Sequence, residues 1–293
     1  MNRFLFVTIL GGMCSTGLAQ DSPFVSGRVE GEPKVLVSPG LLPVGGITTH
    51  KVQSPYQSGE TEIRVLLPDS LKAGKKYPVI YVLPVEGGRG NRYGDGLLEV
   101  KKHDLHNKHQ TIFVAPTFSE LPWYADHPTK PKVRQESYLI NVVVPLVEKL
   151  HPVSPKPEDR LLLGFSKSGW GAWTLLLRNP DTFGRAAAWD APLMMQKVGK
   201  YGNGPIFATQ ENFEAYRPDH LLRKNAKRLQ NKTRLILTGI GNFQSHHEQT
   251  HQLLGELKIP HEYRDAPQRK HDWHSGWVPE AVELLLQAEF EVQ

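Results

Sequence analysis

The chain has 293 residues, with 35 Lys and Arg against 30 Asp and Glu for a formal charge of +5, and 39% of its residues are hydrophobic. That is a globular composition, which excludes extensive disorder. The basic excess is mild and spread along the chain without a Lys/Arg block, which excludes a nucleic-acid-binding stripe.

Residues 1–19 read as a secretory signal peptide. Asn2 and Arg3 form a short positive n-region, Phe4 to Leu10 an apolar run, and Gly17-Leu18-Ala19 a small-x-small cleavage site. The apolar run is too short to span a bilayer. Met13 precedes Cys14, where a lipid-attachment site wants a small residue, so a lipid anchor is disfavoured. Cleavage after Ala19 removes Cys14, the single cysteine. The expected product is secreted or periplasmic, without membrane insertion, and has no disulfide, thiolate metal site or cysteine nucleophile.

Residues 20–46 are rich in Pro and Gly and read as a loose N-terminal arm. Ile47 to Gln53 and Thr61 to Leu67 are two strands joined by a Ser54-to-Gly59 turn. The continuous apolar run Tyr77 to Leu83 marks a strand buried on both faces. A helix is expected over 94–108, then a short buried strand from Thr111 to Ala115. Leu139, Val142, Val143, Leu146, Val147 and Leu150 form one helical stripe, which Pro145 should bend. Arg160 to Phe165 is a strand, Trp170 to Arg178 a helix and Arg185 to Trp189 a strand. Residues 193–232 are polar and irregular, with one helical piece over 219–230. Arg234 to Thr238 (strand), His246 to Leu257 (helix), His261 to Arg264 (strand) and Pro279 to Phe290 (helix) complete the chain. This alternation predicts an α/β fold over 47–293: one mostly parallel central sheet with helices on both faces and an antiparallel N-terminal edge.

The segment Gly164-Phe165-Ser166-Lys167-Ser168-Gly169 joins a buried strand to a helix. That is where an α/β-hydrolase places its nucleophile, on a strained turn that lifts the serine oxygen clear of the sheet. Small neighbours let strand and helix approach, and the next backbone N–H, that of Lys167, points at the developing oxyanion. Ser168 stands at the last glycine position of the usual Gly-x-Ser-x-Gly pattern, with Gly169 one residue later.

Further motifs share the order of a known family: Tyr77 to Leu83 with Glu86-Gly87-Gly88, Trp123-Tyr124, Arg178-Asn179-Pro180-Asp181-Thr182-Phe183-Gly184, and Ile259 to Tyr263. The last is His271-Asp272-Trp273 with Trp277. From about Ile47 to the C-terminus the chain resembles the esterase family of α/β-hydrolases that includes esterase D and the feruloyl esterases. The resemblance implies the α/β-hydrolase fold and a serine esterase with no cofactor and no metal. It makes Ser166 the nucleophile and His271, after the last strand, the base. His274 is a rival without the family position.

The family's usual acid follows the strand ending at Leu237-Thr238-Gly239, but Asn242 stands there. An Asn can orient an imidazole yet cannot stabilise the imidazolium by charge. Asp190, at the end of the preceding strand, is the competing acid, and Glu248 a weaker one. The second oxyanion donor should come from Pro84-Val85-Glu86-Gly87-Gly88, where the family has His-Gly. Pro84 has no N–H, which leaves Val85 or Glu86; register favours Glu86, with Lys167 to neutralise its carboxylate.

His247 and His251 have an i, i+4 spacing that can hold zinc, but no carboxylate completes a motif. His103, His106 and His109 do not share one helix face. Trp123, Tyr124, Trp170, Trp273 and Trp277 suit either an aryl or sugar pocket or the core. The expected function is hydrolysis of a small acyl ester or a carbohydrate-linked acyl or feruloyl ester. The competing reading is a non-catalytic binding protein on the same fold, because Asn242, Pro84-Val85 and Ser168 all depart from the family pattern.

Overall fold

The computed structural model describes residues 25–27 and 35–287. The signal-peptide reading and Cys14 lie outside them. Strands β1 (Val25–Gly27), β2 (Val35–Val37), β3 (Leu41–Val44), β4 (Ile47–Gln53) and β5 (Glu60–Leu66) open the described chain. Within residues 20–46, expected as a loose arm, the described segments include strands. Val35–Val37 and Leu41–Val44 both pair antiparallel with β4; at three and four residues they are too short to show a period, and backbone hydrogen bonding recruits them to the sheet.

Next come β6 (Val79–Val82), α1 (Gly96–Lys102), α2 (Leu105–Lys108), β7 (Ile112–Pro116), α3 (Gln135–Tyr138), a π-turn (Leu139–Val143) and α4 (Val144–Leu150). Then β8 (Arg160–Phe165), α5 (Ser166–Arg178), β9 (Arg185–Trp189), α6 (Gly204–Phe207), α7 (Gln210–Glu214) and α8 (Pro218–Leu229) follow. The order ends with β10 (Leu235–Ile240), α9 (Gln244–Glu256), β11 (His261–Gln268) and α10 (Val278–Leu286).

The helix expected over 94–108 is two helices, because Asp104 takes φ 56° between them. The bend expected at Pro145 takes the form of the π-turn just before it. Proline cannot donate the bond that would close a regular turn there. The helix expected from Trp170 starts at Ser166, whose polar Ser-Lys-Ser opening hides its helical register. The irregular region after residue 193 contains α6 and α7 as well as α8. Ile206, Phe207, Phe213 and Tyr216 pack on Trp123 and Trp170, so a separate small core organises it.

The strands form one sheet in the order β1-β2-β4-β5-β7-β6-β8-β9-β10-β11, with β3 on β4. From β7 to β11 all neighbours are parallel; β4, β5 and β7 pair antiparallel. Successive residues of β6 face opposite sides, as a pleated strand requires. Val79 and Tyr81 join one core with α4, α5, α8 and α9; Ile80 and Val82 join the other with α1 and α10. The chain goes from β6 to β7 on one side, and from β7 it crosses back to β8 on the other side of β6. At such a reversal the carboxyl ends of neighbouring strands open a crevice, and β6 and β8 both end there.

Helix α5 is held close to its neighbours by glycine. A Cβ on Gly171 would fall within the Tyr124 ring, whereas one on Gly255 in α9 would meet nothing within 4 Å. Gly171→Ala should therefore lower stability by about 1–3 kcal/mol through overpacking. Gly255→Ala should raise it by about 0.5–1 kcal/mol, because only unfolded-chain entropy and helix propensity change. Urea unfolding of both variants checks the opposite signs; two shifts of the same sign contradict the packing described.

Candidate active site

Ser166 is the first residue of α5 and sits at φ 52°, a left-handed conformation that bulky side chains avoid. The strain is supported from both sides. A Cβ on Gly164 would collide with the Ser168 carbonyl, and one on Gly169 would lie 2.7 Å from the Ala191 methyl. Ser168 substitutes for the expected glycine without disrupting the turn. Its hydroxyl accepts from Phe165 N–H at 3.0 Å and donates to the Phe165 carbonyl at 2.9 Å.

His271 meets Ser166, with Nε2 3.0 Å from the serine Oγ. Its Nδ1 lies 2.6 Å from Oδ2 of Asp190. Asp190 follows β9, is 0% exposed and also takes a positive φ, 42°. It accepts two further hydrogen bonds, from Asn242 N–H at 2.8 Å and Phe243 N–H at 2.6 Å. Burial alone would raise the Asp190 carboxyl. The bonds from His271, Phe243 and Asn242 more than offset it and hold the group below its ordinary value. Of the competing acids, the structure brings Asp190 to His271. Asn242 contributes its backbone to Asp190 while its side chain is exposed. Glu248 is exposed on α9 and bonds Gln244.

Aromatic rings surround the imidazole. Phe165, Tyr93, Phe243 and Trp189 have centroids 5.0, 5.7, 5.8 and 6.2 Å from that of His271. The loop carrying His271 is tied down by Trp273 N–H to the Tyr93 carbonyl at 2.8 Å and by Trp277 Nε1–H to the Asp272 carbonyl at 3.0 Å. His274, the rival base, bonds Glu99 of α1 instead, at 2.8 Å. Glu99 is 1% exposed and also holds His103 and Lys102, which together keep its carboxyl below the ordinary value against the opposing effect of burial.

Lys167 is the second residue of α5, so its N–H lies in the unpaired first turn of the helix, beside Ser166. The loop after β6 is anchored by Leu83 N–H to the Leu163 carbonyl, Gly88 N–H to the Phe118 carbonyl, and Tyr124 OH to the Pro84 carbonyl at 2.5 Å. Val85 and Glu86 lie between these anchors. The expected Lys167–Glu86 ion pair does not form: one Glu86 carboxylate oxygen is buried without a hydrogen-bond partner. The two charges interact only at longer range. Trp123, Tyr124, Trp170, Trp273 and Trp277 are all buried, so they build the core rather than line an open aryl or sugar pocket. His247 and His251 have separate partners, the Ala191 backbone and His261. Among the described residues no group of three or more His, Cys, Asp or Glu is placed to hold a metal ion.

Comparison with known proteins adds the following. The model of the family described as "Putative esterase" matches residues 54–279. No curated protein sequence matches. Among solved structures, a ferulic acid esterase superposes with TM-score 0.66 at 19% identity, over 82% of this chain and 96% of that one. S-formylglutathione hydrolase from Staphylococcus aureus gives 0.66 at 17%, over 82% and 98%. The fluorophosphonate-binding serine hydrolase F of the same organism gives 0.67 at 16%, over 86% and 100%. At these identities the likeness is one of fold.

Sequence reading missed the support beneath Asp190. His247 of α9 is fully buried and its Nε2 accepts from Ala191 N–H at 2.9 Å; His246 Nδ1 accepts from Met194 N–H at 3.0 Å. Both rings must be neutral at those nitrogens to accept. The i, i+4 His247–His251 spacing drew attention to metal, while the signal for this role was an adjacent His pair just beyond the strand end. Burial pushes His247 down from 6.5 to about 4. Between those values the unfolded chain binds a proton that the folded chain does not. Stability should therefore fall as pH drops from 6.5 toward 4, by on the order of 3 kcal/mol from this group. His247→Gln keeps an acceptor without a titrating ring and should flatten the pH dependence of the urea midpoint. An unchanged slope would show that His247 does not titrate in this way.

Proposed function

The chain belongs to this esterase family and is a carboxylic ester hydrolase, and from that premise we propose that it works through a Ser166–His271–Asp190 triad. The observation that carries the reading is the unbroken chain of hydrogen bonds from Ser166 Oγ through His271 to a buried carboxylate, at a strained strand-to-helix turn. Ser166 Oγ attacks the ester carbonyl while His271 Nε2 takes its proton. Asp190 keeps Nδ1 protonated and stabilises the imidazolium. The N–H groups of Lys167 and Glu86 receive the oxyanion, aided by the N-terminus of α5. The imidazolium then protonates the departing alcohol, and water, activated by the same imidazole, releases the acyl group from Ser166. No cofactor takes part. The proposed substrates are small acyl esters or acyl and feruloyl esters on carbohydrate, a class suggested by the family and by the ferulic acid esterase of like fold.

Ser166→Ala should abolish turnover of p-nitrophenyl acetate and labelling by a fluorophosphonate, with the circular dichroism spectrum unchanged. Asp190→Asn should lower kcat by a factor of about 10⁴, as loss of a triad acid's charge does. Asn242→Ala keeps the N–H that Asp190 uses and should change kcat little. Equal activity of Ser166→Ala and the parent protein would refute the triad.

We also propose a secreted or periplasmic location, supported by the signal-like residues 1–19. Among the described residues no helix is long and apolar enough to cross a membrane. N-terminal sequencing of exported protein should begin near Gln20. An unprocessed chain confined to the cytosol contradicts the assignment.

A further inference from the structure

Two cations, Lys167 next to Ser166 in the chain and Arg92 next to Tyr93, stand over one aromatic ring. Lys167 Nζ lies 5.9 Å and Arg92 Cζ 5.3 Å from the centroid of the Tyr93 ring, and the same ring meets His271 edge-on at 5.7 Å. Neither cation forms an ion pair among the described residues. Their neighbours differ in this respect: Arg64 is bound to Asp95 at 2.6 Å and Arg89 to Glu62 at 2.5 Å. Burial holds the Lys167 ammonium below the ordinary lysine value; Glu86 opposes this, and the like charge of Arg92 adds to it. Two mutually repelling cations at one rim are stabilised when an anion enters between them. The N-terminus of the 13-residue helix α5 adds to the same field. Tyr93 links the group, since its ring centroid lies within 6 Å of both cations and of the imidazole.

We propose that Lys167 and Arg92 form a cationic subsite and that the substrate is an ester bearing a carboxylate or phosphate close to the scissile carbonyl. The proposal rests on the serine-esterase reading above and narrows its substrate class. The anion can sit on the acyl or on the alcohol half of the ester, and two substrate pairs separate these. Mono-p-nitrophenyl succinate against p-nitrophenyl butyrate tests the acyl half. 4-Acetoxybenzoate against phenyl acetate tests the alcohol half.

The quantity to read is the ratio of kcat/KM for the anionic and the neutral ester, which is independent of any general loss of activity. In one of the two pairs Lys167→Met and Arg92→Met should each lower that ratio by about tenfold, the size of one lost charge-assisted contact. Lys167→Arg should retain it. Glu86→Gln should raise it, because the one carboxylate competing for Lys167 is removed. With the parent protein alone, which needs no folded variant, methyl hemisuccinate should inhibit neutral-ester turnover more strongly than methyl butyrate when the anion sits on the acyl half, and 4-acetoxybenzoate more strongly than phenyl acetate when it sits on the alcohol half. Ratios unchanged in both pairs, or equal inhibition within both competitor pairs, overturn the subsite and leave the triad standing. Turnover that persists in Ser166→Ala overturns the triad and the subsite with it.

Discussion

The buried carboxylate of Asp190 is the point at which three distant parts of the chain meet. It lies at the end of β9, takes N–H bonds from Asn242 and Phe243 where α9 begins, and holds His271 from the loop after β11. Removing such a charge from water is costly, and only the three hydrogen bonds together make it acceptable. The geometry is correspondingly demanding. A Cβ on Gly241 would run into the Asp190 carboxylate, so the backbone before α9 has to be glycine to deliver its N–H groups. Beneath the carboxylate, His246 and His247 pin the turn that follows it. The hydrogen-bonded chain from Ser166 through His271 to Asp190 thus depends on the tertiary arrangement of β9, α9 and the His271 loop.

The nucleophile turn follows the same logic with different parts. An α/β-hydrolase needs small residues there so that a helix can begin almost against the strand it leaves. Here Gly164 and Gly169 supply the close approach, and Ser168 between them folds its hydroxyl back onto Phe165. The departure at Ser168 is therefore a local exchange of space for a hydrogen bond. The departure at Asn242 is different in kind: the carboxylate that meets His271 comes from the neighbouring strand end, and Asn242 gives that carboxylate its backbone N–H. Both strand ends open on one rim, so the imidazole can reach either.

Most of the scaffold was legible in the sequence, because strands buried on both faces leave continuous apolar runs. Val79 to Val82, Arg160 to Phe165 and Arg185 to Trp189 each carry that mark. The placing of Ser166 at a strand-to-helix turn and of His271 after the last strand could be read from a local motif and from chain order. The choice between Asp190 and Asn242 could not, since it depends on which strand end the histidine loop faces. Short edge strands such as Val35–Val37 also escaped, because three residues show no period. The pair of helices after residue 203 escaped because their apolar residues are sparse and gain meaning only against Trp123 and Trp170. The buried aromatics near His271 were ambiguous for a related reason: an apolar ring reads alike whether it lines a cleft or fills a core.

Those rings carry a consequence for observing the site. All six tryptophans are buried. Trp189, Trp273 and Trp277 form a stack, with centroids 5.4 Å apart between Trp189 and Trp277 and 5.1 Å between Trp273 and Trp277, and Trp189 faces His271 at 6.2 Å. A protonated imidazole quenches indole emission, whereas a neutral one does so far less. Emission from Trp189, whose ring lies against His271, is thus one optical reporter of the site, available before any substrate is bound and without an added label.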